Sequence, residues 1–279
     1  MGQVKLDIST SLDGFVAGPN QTLEQPLGEG GEQLHEWVIA LKAWREPHGM
    51  PGGDTGPDND MVEELIRSSG ATVMGRRMFS GGSGPWENDP NPDGWWGDEP
   101  PFHHPVFILT HHPRETVEKE GGTTFTFVTE GIEAAVEQAR AAAGGKDVGI
   151  GGGANVAQQA LNAGLVDEVH IHVVPVLLHD GVRLLDGLGK VELEKTRVVD
   201  SPGVTHLRFR VRKSVSSPSP RHEGRRRRRA EDAELRADRD AVCHTGGRRS
   251  PSRRDPGSGL RTGEVVDRAA GDGPGRSRR

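Results

Sequence analysis

Gly151, Gly152 and Gly153 follow a short apolar run, "DVGI", and precede a helix-like stretch that opens at Ala154. That order of strand, glycines and helix suits an anionic ligand. The first turn of a helix presents unpaired N–H groups and partial positive charge, and glycine lets the backbone approach a diphosphate without a Cβ in between. A tight turn needing positive φ explains one glycine; three in a row favour phosphate. Two further strand-like runs end in groups of the same kind. "TVMGRR" delivers Gly75, Arg76 and Arg77, and "FILTHHPR" delivers Thr110, His111, His112 and Arg114. Cationic and N–H groups converging on one crevice suit a ligand with several phosphates, and an arginine near an adenosine ribose favours a 2′-phosphate.

Other residues have the chemistry to act on a bound substrate. Asp13, before Gly14, is the first candidate to orient a substrate or relay a proton, although an aspartate before glycine is also an ordinary turn. Asp58 and Asp60 open a helix where a substrate role competes with capping. Trp86, Trp95 and Trp96 lie in a long Pro- and Asp-rich loop, where they either stack on a planar heterocycle, close a site or simply pack. His170 and His172 share one face of a strand. With no HExxH or comparable spacing beside them, no metal is expected. "GGSGPW" around Ser83 lacks the strand–elbow–helix context of a nucleophilic serine.

The elements that position these residues follow from periodicity. "QVKLDIS" alternates as a strand and ends at the Asp13-Gly14 turn. Helical spacing runs from Gly31 to Trp44, with Leu34, Trp37, Val38, Leu41 and Trp44 on one face. A second helix begins at Asp58 or Asn59, reaches Ser68, and turns Met61, Val62, Leu65 and Ile66 inward. "ATVMG", "PVFILT", "TFTFV", "DVGIG" and "VDEVHIHVVPVLL" read as strands; Gly131–Ala143 and Ala154–Ala163 read as helices. Two alternating runs around Ser201-Pro202-Gly203 predict a closing antiparallel hairpin. The pattern implies an α/β fold with a mostly parallel sheet. Gly149-x-Gly151-x-x-Ala154 fits a dinucleotide fingerprint. About 150 residues precede it, however, and Asp167 and Glu168 start rather than end the next strand, so a Rossmann fold is not expected.

Composition divides the chain. Residues 1–213 carry every tryptophan and the apolar runs; residues 214–279 are rich in Arg, Gly and Pro and too poor in apolar groups to form a core, so disorder is expected there. The tail holds 17 Arg against 10 acids, a net of +7, which leaves the body at −13. An acidic body makes a poor nucleic-acid surface, while the tail has the charge for non-specific polyanion binding. The single cysteine, Cys243, is in the tail, so the body holds no disulfide or thiolate site. The N-terminus shows no signal pattern and no apolar stretch reaches 18 residues, so a cytoplasmic protein without a membrane span is expected.

Four stretches taken together, "STSLDGFVAG", "GATVMGRRMF", "PVFILTHH" and "IGGGANVAQQALNAGLVDEVHIHVVPVLL", resemble the dihydrofolate reductase-like superfamily. The closer resemblance is to the reductase domain of the riboflavin-biosynthesis deaminase–reductase family. It spans nearly all of residues 1–213 and implies a three-layer α/β/α domain that binds NADPH, transfers a hydride to a pterin- or pyrimidine-like heterocycle and forms homodimers through a sheet edge. Carried over by position, Gly75 and Arg76, with Arg77 beside them, contact cofactor phosphates. Thr110 and His111 lie near the adenosine, and Gly151, Gly152, Gly153, Ala154, Asn155 and Val156 hold the diphosphate. Ser11 to Gly14 border nicotinamide and substrate. In folate reductases a carboxylate on the helix corresponding to that of Asp58 binds the pterin. Ser11, Asp58 and Trp86 are therefore the expected substrate-side residues. The chain lacks the His-x-Glu and Cys-x-x-Cys pattern of the family's zinc deaminase, so a reductase domain standing alone is expected. A nucleotide-binding module without turnover and a polyanion binder acting through the tail are the competing readings.

Overall fold

The computed structural model describes residues 2–212, which lie within the first of the two units into which the chain divides, Met1–Val215. The readings made for residues 214–279, including Cys243 and the polyanion-binding tail, lie outside the described residues.

In chain order the elements are β1 (Val4–Ser11), β2 (Phe15–Ala17), α1 (Glu36–Ile39), α2 (Lys42–Arg45), α3 (Pro57–Ser68), β3 (Ser69–Gly75), α4 (Arg76–Ser80), β4 (Pro105–Leu109), β5 (Val117–Glu118) and β6 (Thr124–Val128). There follow α5 (Ile132–Ala142), β7 (Asp147–Ile150), α6 (Ala154–Asn162), β8 (Glu168–Val174), β9 (Val182–Arg183), β10 (Glu192–Ser201) and β11 (Val204–Arg212). Nine strands form one sheet in the order β10-β11-β8-β1-β7-β3-β4-β6-β5, and β2 pairs with β9 apart from it. From β8 to β6 the sheet is parallel. The hairpin β10–β11 joins β8 antiparallel, and β5 closes the other edge antiparallel.

One face of the sheet is apolar. Val4, Leu6, Val73, Val148 and Ile150 meet Ala135, Val136 and Ala139 of α5 and Val156, Ala157 and Ala160 of α6 in the main core. Strands buried on that face alternate with a second face under α3, where β1 presents Asp7 and Ser9 and β8 presents His170 and His172. Because the central strands run parallel, their carboxyl ends (Ser11, Gly75, Leu109, Val128, Ile150 and Val174) lie at one end of the sheet, as the expected crevice requires.

Three expectations need correction. The helix expected over 31–44 is three short turns: a 3₁₀ turn Gly31–Leu34, then α1 and α2, interrupted at Leu41, whose backbone is extended and bridges Asp54. Apolar spacing was satisfied by packing of separate turns rather than by one helix. In α3, Ile66 is 47% exposed rather than inward, because the helix meets the sheet over its polar face through Asp58, Met61 and Glu64. The helix also begins one residue before the expected caps. Asn59 is buried, with its Oδ1 accepting from the Ala43 amide at 2.7 Å, so it ties α3 to α2 instead of capping.

Candidate functional site

The glycine triplet ends β7 and starts α6. β7 lies between β1 and β3 in the sheet, so the triplet meets the tip of β3. The Gly75 amide donates to the Gly152 carbonyl at 2.9 Å, and the Gly151 amide to the Val73 carbonyl at 2.9 Å. The two glycine signals found separately in the sequence form one surface. A Cβ on Gly75 would stand 3.1 Å from Val156 Cγ2, so glycine here permits α6 to pack closely. Gly152 has φ +109°, which only glycine adopts readily, and a cis peptide bond joins it to Gly153. A Cβ on Gly152 or Gly153 would meet nothing within 4 Å. Gly153 is exposed with open space before it and the first turn of α6 behind it, whereas a Cβ on Gly151 would stand 2.9 Å from Thr72 Cγ2, so that glycine is required by packing. An anionic diphosphate fits this cradle.

Arg76 does not line it as expected. Its side chain is 7% exposed; the guanidinium pairs with Asp89, donates to the Ser80 hydroxyl, and lies over the Trp86 ring, with Cζ 3.4 Å from the centroid. Its charge is consumed inside the protein. Arg77, next on α4, is exposed and takes over as the candidate phosphate group. Arg114 pairs with Asp93. Thr110 is buried and its hydroxyl accepts from the His112 amide at 3.1 Å, whereas His111 is exposed at the β4 tip.

Trp86 is also displaced from its expected place. It packs edge-on against Phe79 and Phe127 and donates its indole N–H to the His112 carbonyl at 2.9 Å. Phe127 is on β6, four strands from β1; at about 4.8 Å per strand that is roughly 19 Å away from Ser11. Trp86 thus braces Arg76 on the far side of the cradle and does not face a substrate beside β1. Trp96 packs against Phe102 in the same cluster.

Asp13 is held as a carboxylate. The Ser11 hydroxyl donates to its Oδ1 at 2.6 Å, and the Leu178 and His179 amides donate to Oδ1 and Oδ2 at 3.2 and 2.8 Å. Ser11 foremost, then these amides, hold the carboxyl at about 2, against the contrary effect of burial. A carboxyl held there is ionised near neutrality and poorly suited to giving a proton. Asp13 orders the loop after β8, and Ser11, which also accepts from the Phe15 amide at 2.9 Å, orders the turn after β1.

On the other side of β1 lies a cavity of about 200 Å³, lined by Trp37, Leu41, Asp54, Asp58 and Val204 among others. Trp37 donates its indole N–H to Ser9 Oγ at 3.1 Å, which anchors the cavity to the upper half of β1. Asp58, in the first turn of α3, accepts from Ser201 Oγ and lies 3.1 Å from His206 Nε2. Behind it runs a polar chain that periodicity alone did not identify. His206 Nδ1 is 2.6 Å from His172 Nδ1; His172 Nε2 is 3.0 Å from Asp7 Oδ1; His170 Nδ1 is 3.3 Å from Asp7 Oδ2. Burial opposes ionisation of Asp7, but His172 and His170 outweigh it and hold the carboxyl well below the ordinary range. The signal for part of this was present: Glu168, His170 and His172 alternate along one strand.

The sequence profile of the RibD C-terminal domain family matches residues 3–207. The chain belongs to that family. Membership makes it an oxidoreductase. Solved structures of similar architecture include a candidate riboflavin biosynthesis protein from Shewanella sp. PV-4 (20% identity, 76% of this chain and 99% of that one, TM-score 0.49). Another is the diaminohydroxyphosphoribosylaminopyrimidine deaminase/5-amino-6-(5-phosphoribosylamino)uracil reductase of Thermotoga maritima (14% identity, 76% and 57% coverage, TM-score 0.46). A third is Enterococcus faecalis dihydrofolate reductase complexed with NADP(H) (14% identity, 76% and 98% coverage, TM-score 0.40). No curated protein sequence matches the chain significantly. Among the described residues, no helix is long and apolar enough to cross a membrane.

Proposed function

We propose that this RibD C-terminal domain protein reduces a small pyrimidine-like heterocycle with NADPH. The observation that carries the reading is the closure of the glycine turn on the β3 tip, Gly75 N–H to Gly152 carbonyl, with an unobstructed front. Gly152, Gly153 and the first-turn amides of Ala154 and Asn155 hold the diphosphate, while Val156 sets the close packing of α6 beneath Gly75. Arg77 and His111, exposed at the ends of β3 and β4, border the adenosine end, and Arg77 provides the charge that favours a 2′-phosphate. The bound dinucleotide supplies the hydride. The chain's own contribution is to place the acceptor, exclude water and supply a proton.

β1 stands between the cradle on β7 and the cavity at Asp58. Ser9, which accepts from the Trp37 indole, ties β1 to the cavity wall. The cavity, about 200 Å³, is below the roughly 300–1,000 Å³ typical of drug-sized ligands; it suits one ring better than two, which favours a pyrimidine over a pterin. Trp37 forms its apolar wall and Asp58 its acceptor for ring N–H groups. We also propose a homodimer through the exposed edge strand β10, where Leu193 and Val198 are 42% and 48% exposed.

Fluorescence titration with NADPH and NADH, followed by loss of reduced-nicotinamide absorbance with aminopyrimidines and dihydropterins, tests the reading. Preference for NADPH and turnover of a single-ring substrate are expected. Tight binding without turnover of any of these would leave a nucleotide-binding module. Equal weak binding of both dinucleotides would overturn the cofactor assignment.

A further inference from the structure

The Nδ1 atoms of His172 and His206 face each other at 2.6 Å, a distance that requires a hydrogen between them. Each ring also points its Nε2 at a carboxylate: His172 at Asp7, 3.0 Å away, and His206 at Asp58, 3.1 Å away. A carboxylate only accepts, so both Nε2 atoms carry hydrogen. One of the two Nδ1 atoms must carry hydrogen as well. The pair therefore holds one proton more than two neutral imidazoles.

We propose that His172 and His206 store this proton beneath the cleft and deliver it to Asp58, which gives it to the substrate as hydride arrives. The proposal rests on the reductase reading. At rest His172 carries hydrogen on both nitrogens, His206 on Nε2 only, and Asp58 is ionised. His172 Nδ1–H passes its proton to His206 Nδ1 while His206 Nε2–H passes its own to Asp58 Oδ1. Both rings end neutral and Asp58 becomes a carboxylic acid. As the hydride adds to the carbon of a C=N or C=O bond, the bond's electron pair moves to the nitrogen or oxygen, which takes the Asp58 proton. After product leaves, a proton from cleft water adds to His206 Nε2, and the Nδ1 proton returns to His172.

The surroundings suit a proton store. His172 and His206 are 4% and 3% exposed, and Trp37 covers both rings at centroid distances of 4.8 and 4.9 Å. On the sheet side His170 bridges Asp7 and Glu168, both at 3.3 Å. The cations nearest the pair on β10 and β11, Arg197 and Arg208, are matched by Glu64 of α3 at 3.7 and 3.5 Å. Asp7 and Asp58 are the charges left to balance the stored proton. Burial foremost, then His172, pushes His206 below the ordinary imidazole range, which keeps a second proton off the pair. A substrate that fills the cavity excludes the water that would otherwise protonate it, so a source below Asp58 is useful at that moment.

Two measurements on the full chain decide the proposal. ¹⁵N-histidine NMR of the ligand-free protein is expected to show one far-downfield imidazole proton shared by two Nδ1 nitrogens, absent from His172→Gln and His206→Gln. Two rings that titrate independently, with no shared proton, would overturn it. In single-turnover hydride transfer, His206→Gln keeps an N–H for Asp58 but cannot relay. It should slow transfer about 10²-fold at pH 8, less at pH 6 where solvent protons compensate, with unchanged NADPH affinity; His48→Gln, at an exposed histidine outside the cavity lining, should match wild type. An active wild type alongside a His206→Gln protein slowed equally at every pH, or not at all, removes the relay and leaves the reductase. A wild type inert toward every substrate removes the reductase reading and the delivery step with it, whatever the NMR shows.

Discussion

Arg76 and Arg77 are neighbours with opposite fates, and substitution should separate them. Arg76 is buried against Asp89, which is 1% exposed, so Arg76→Ala leaves a carboxylate without its partner. Breaking a buried pair costs about 3–5 kcal/mol; denaturant unfolding should show a loss of that order, with Trp86 fluorescence changing because the guanidinium leaves its ring. Arg77→Ala should unfold like wild type and lose about tenfold in NADPH affinity, roughly 1.4 kcal/mol, with little change for NADH. If Arg76→Ala folds normally and loses only NADPH affinity, the guanidinium reaches the ligand and its pairing with Asp89 is not what fixes it. Which of two adjacent arginines is free was not legible in "GRR". It depends on Asp89 and Trp86, which reach Arg76 from a loop with no periodicity.

At the scale of elements, the glycine turn makes two demands that two variants distinguish. Gly152→Ala forces a Cβ onto φ +109° and should cost about 1–2 kcal/mol of stability as well as dinucleotide affinity. Gly153 has φ −77°, so Gly153→Ala should fold without penalty. It should still lose at least tenfold in NADPH affinity, measured by titration, because its Cβ enters the open front of the cradle. Unchanged affinity in Gly153→Ala would place the diphosphate elsewhere. The strand–glycine–helix order, the parallel run and the closing hairpin were legible because period-2 and period-3.6 patterns are local. The two-residue strands β5 and β9 and the pairing of β2 with β9 were not, since strands so short carry no period. Nor was the acid–imidazole chain: "VKLDIS", "VHIHV" and "THLRF" each show one face, but only the register His206↔His172, with Asp7↔His170 on the next strand, puts those faces in contact. Cross-strand register is a long-range property, and the sequence holds no short motif for it.

For the molecule as a whole, buried imidazoles set how stability responds to acid. His104 is pushed down to about 4, by burial foremost and then by Lys146 and His103, and its Nε2 lies 2.8 Å from Thr72 Oγ1. Burial likewise lowers His35 and His206. An imidazole whose folded pKa lies below its unfolded value of about 6.5 favours the native state while it is neutral. Its contribution is complete above about pH 6.5 and is lost as pH falls toward 4. Depressed carboxylates act in a separate window. Asp13, held at about 2, together with Asp7, Asp89 and Asp147, stabilises the fold above about pH 4 and withdraws that support only below it. Acid destabilisation should therefore come in two stages. Between pH 7.5 and 5, His104 should account for about 1–2 kcal/mol after allowance for its partial exposure. Urea unfolding of wild type and His104→Gln across that range checks this: the variant should show a flatter profile from pH 7.5 to 5 and an unchanged decline below 4. Parallel profiles throughout would mean that His104 takes up a proton as readily in the native state as in the unfolded chain, and that the first stage belongs to His35 and His206.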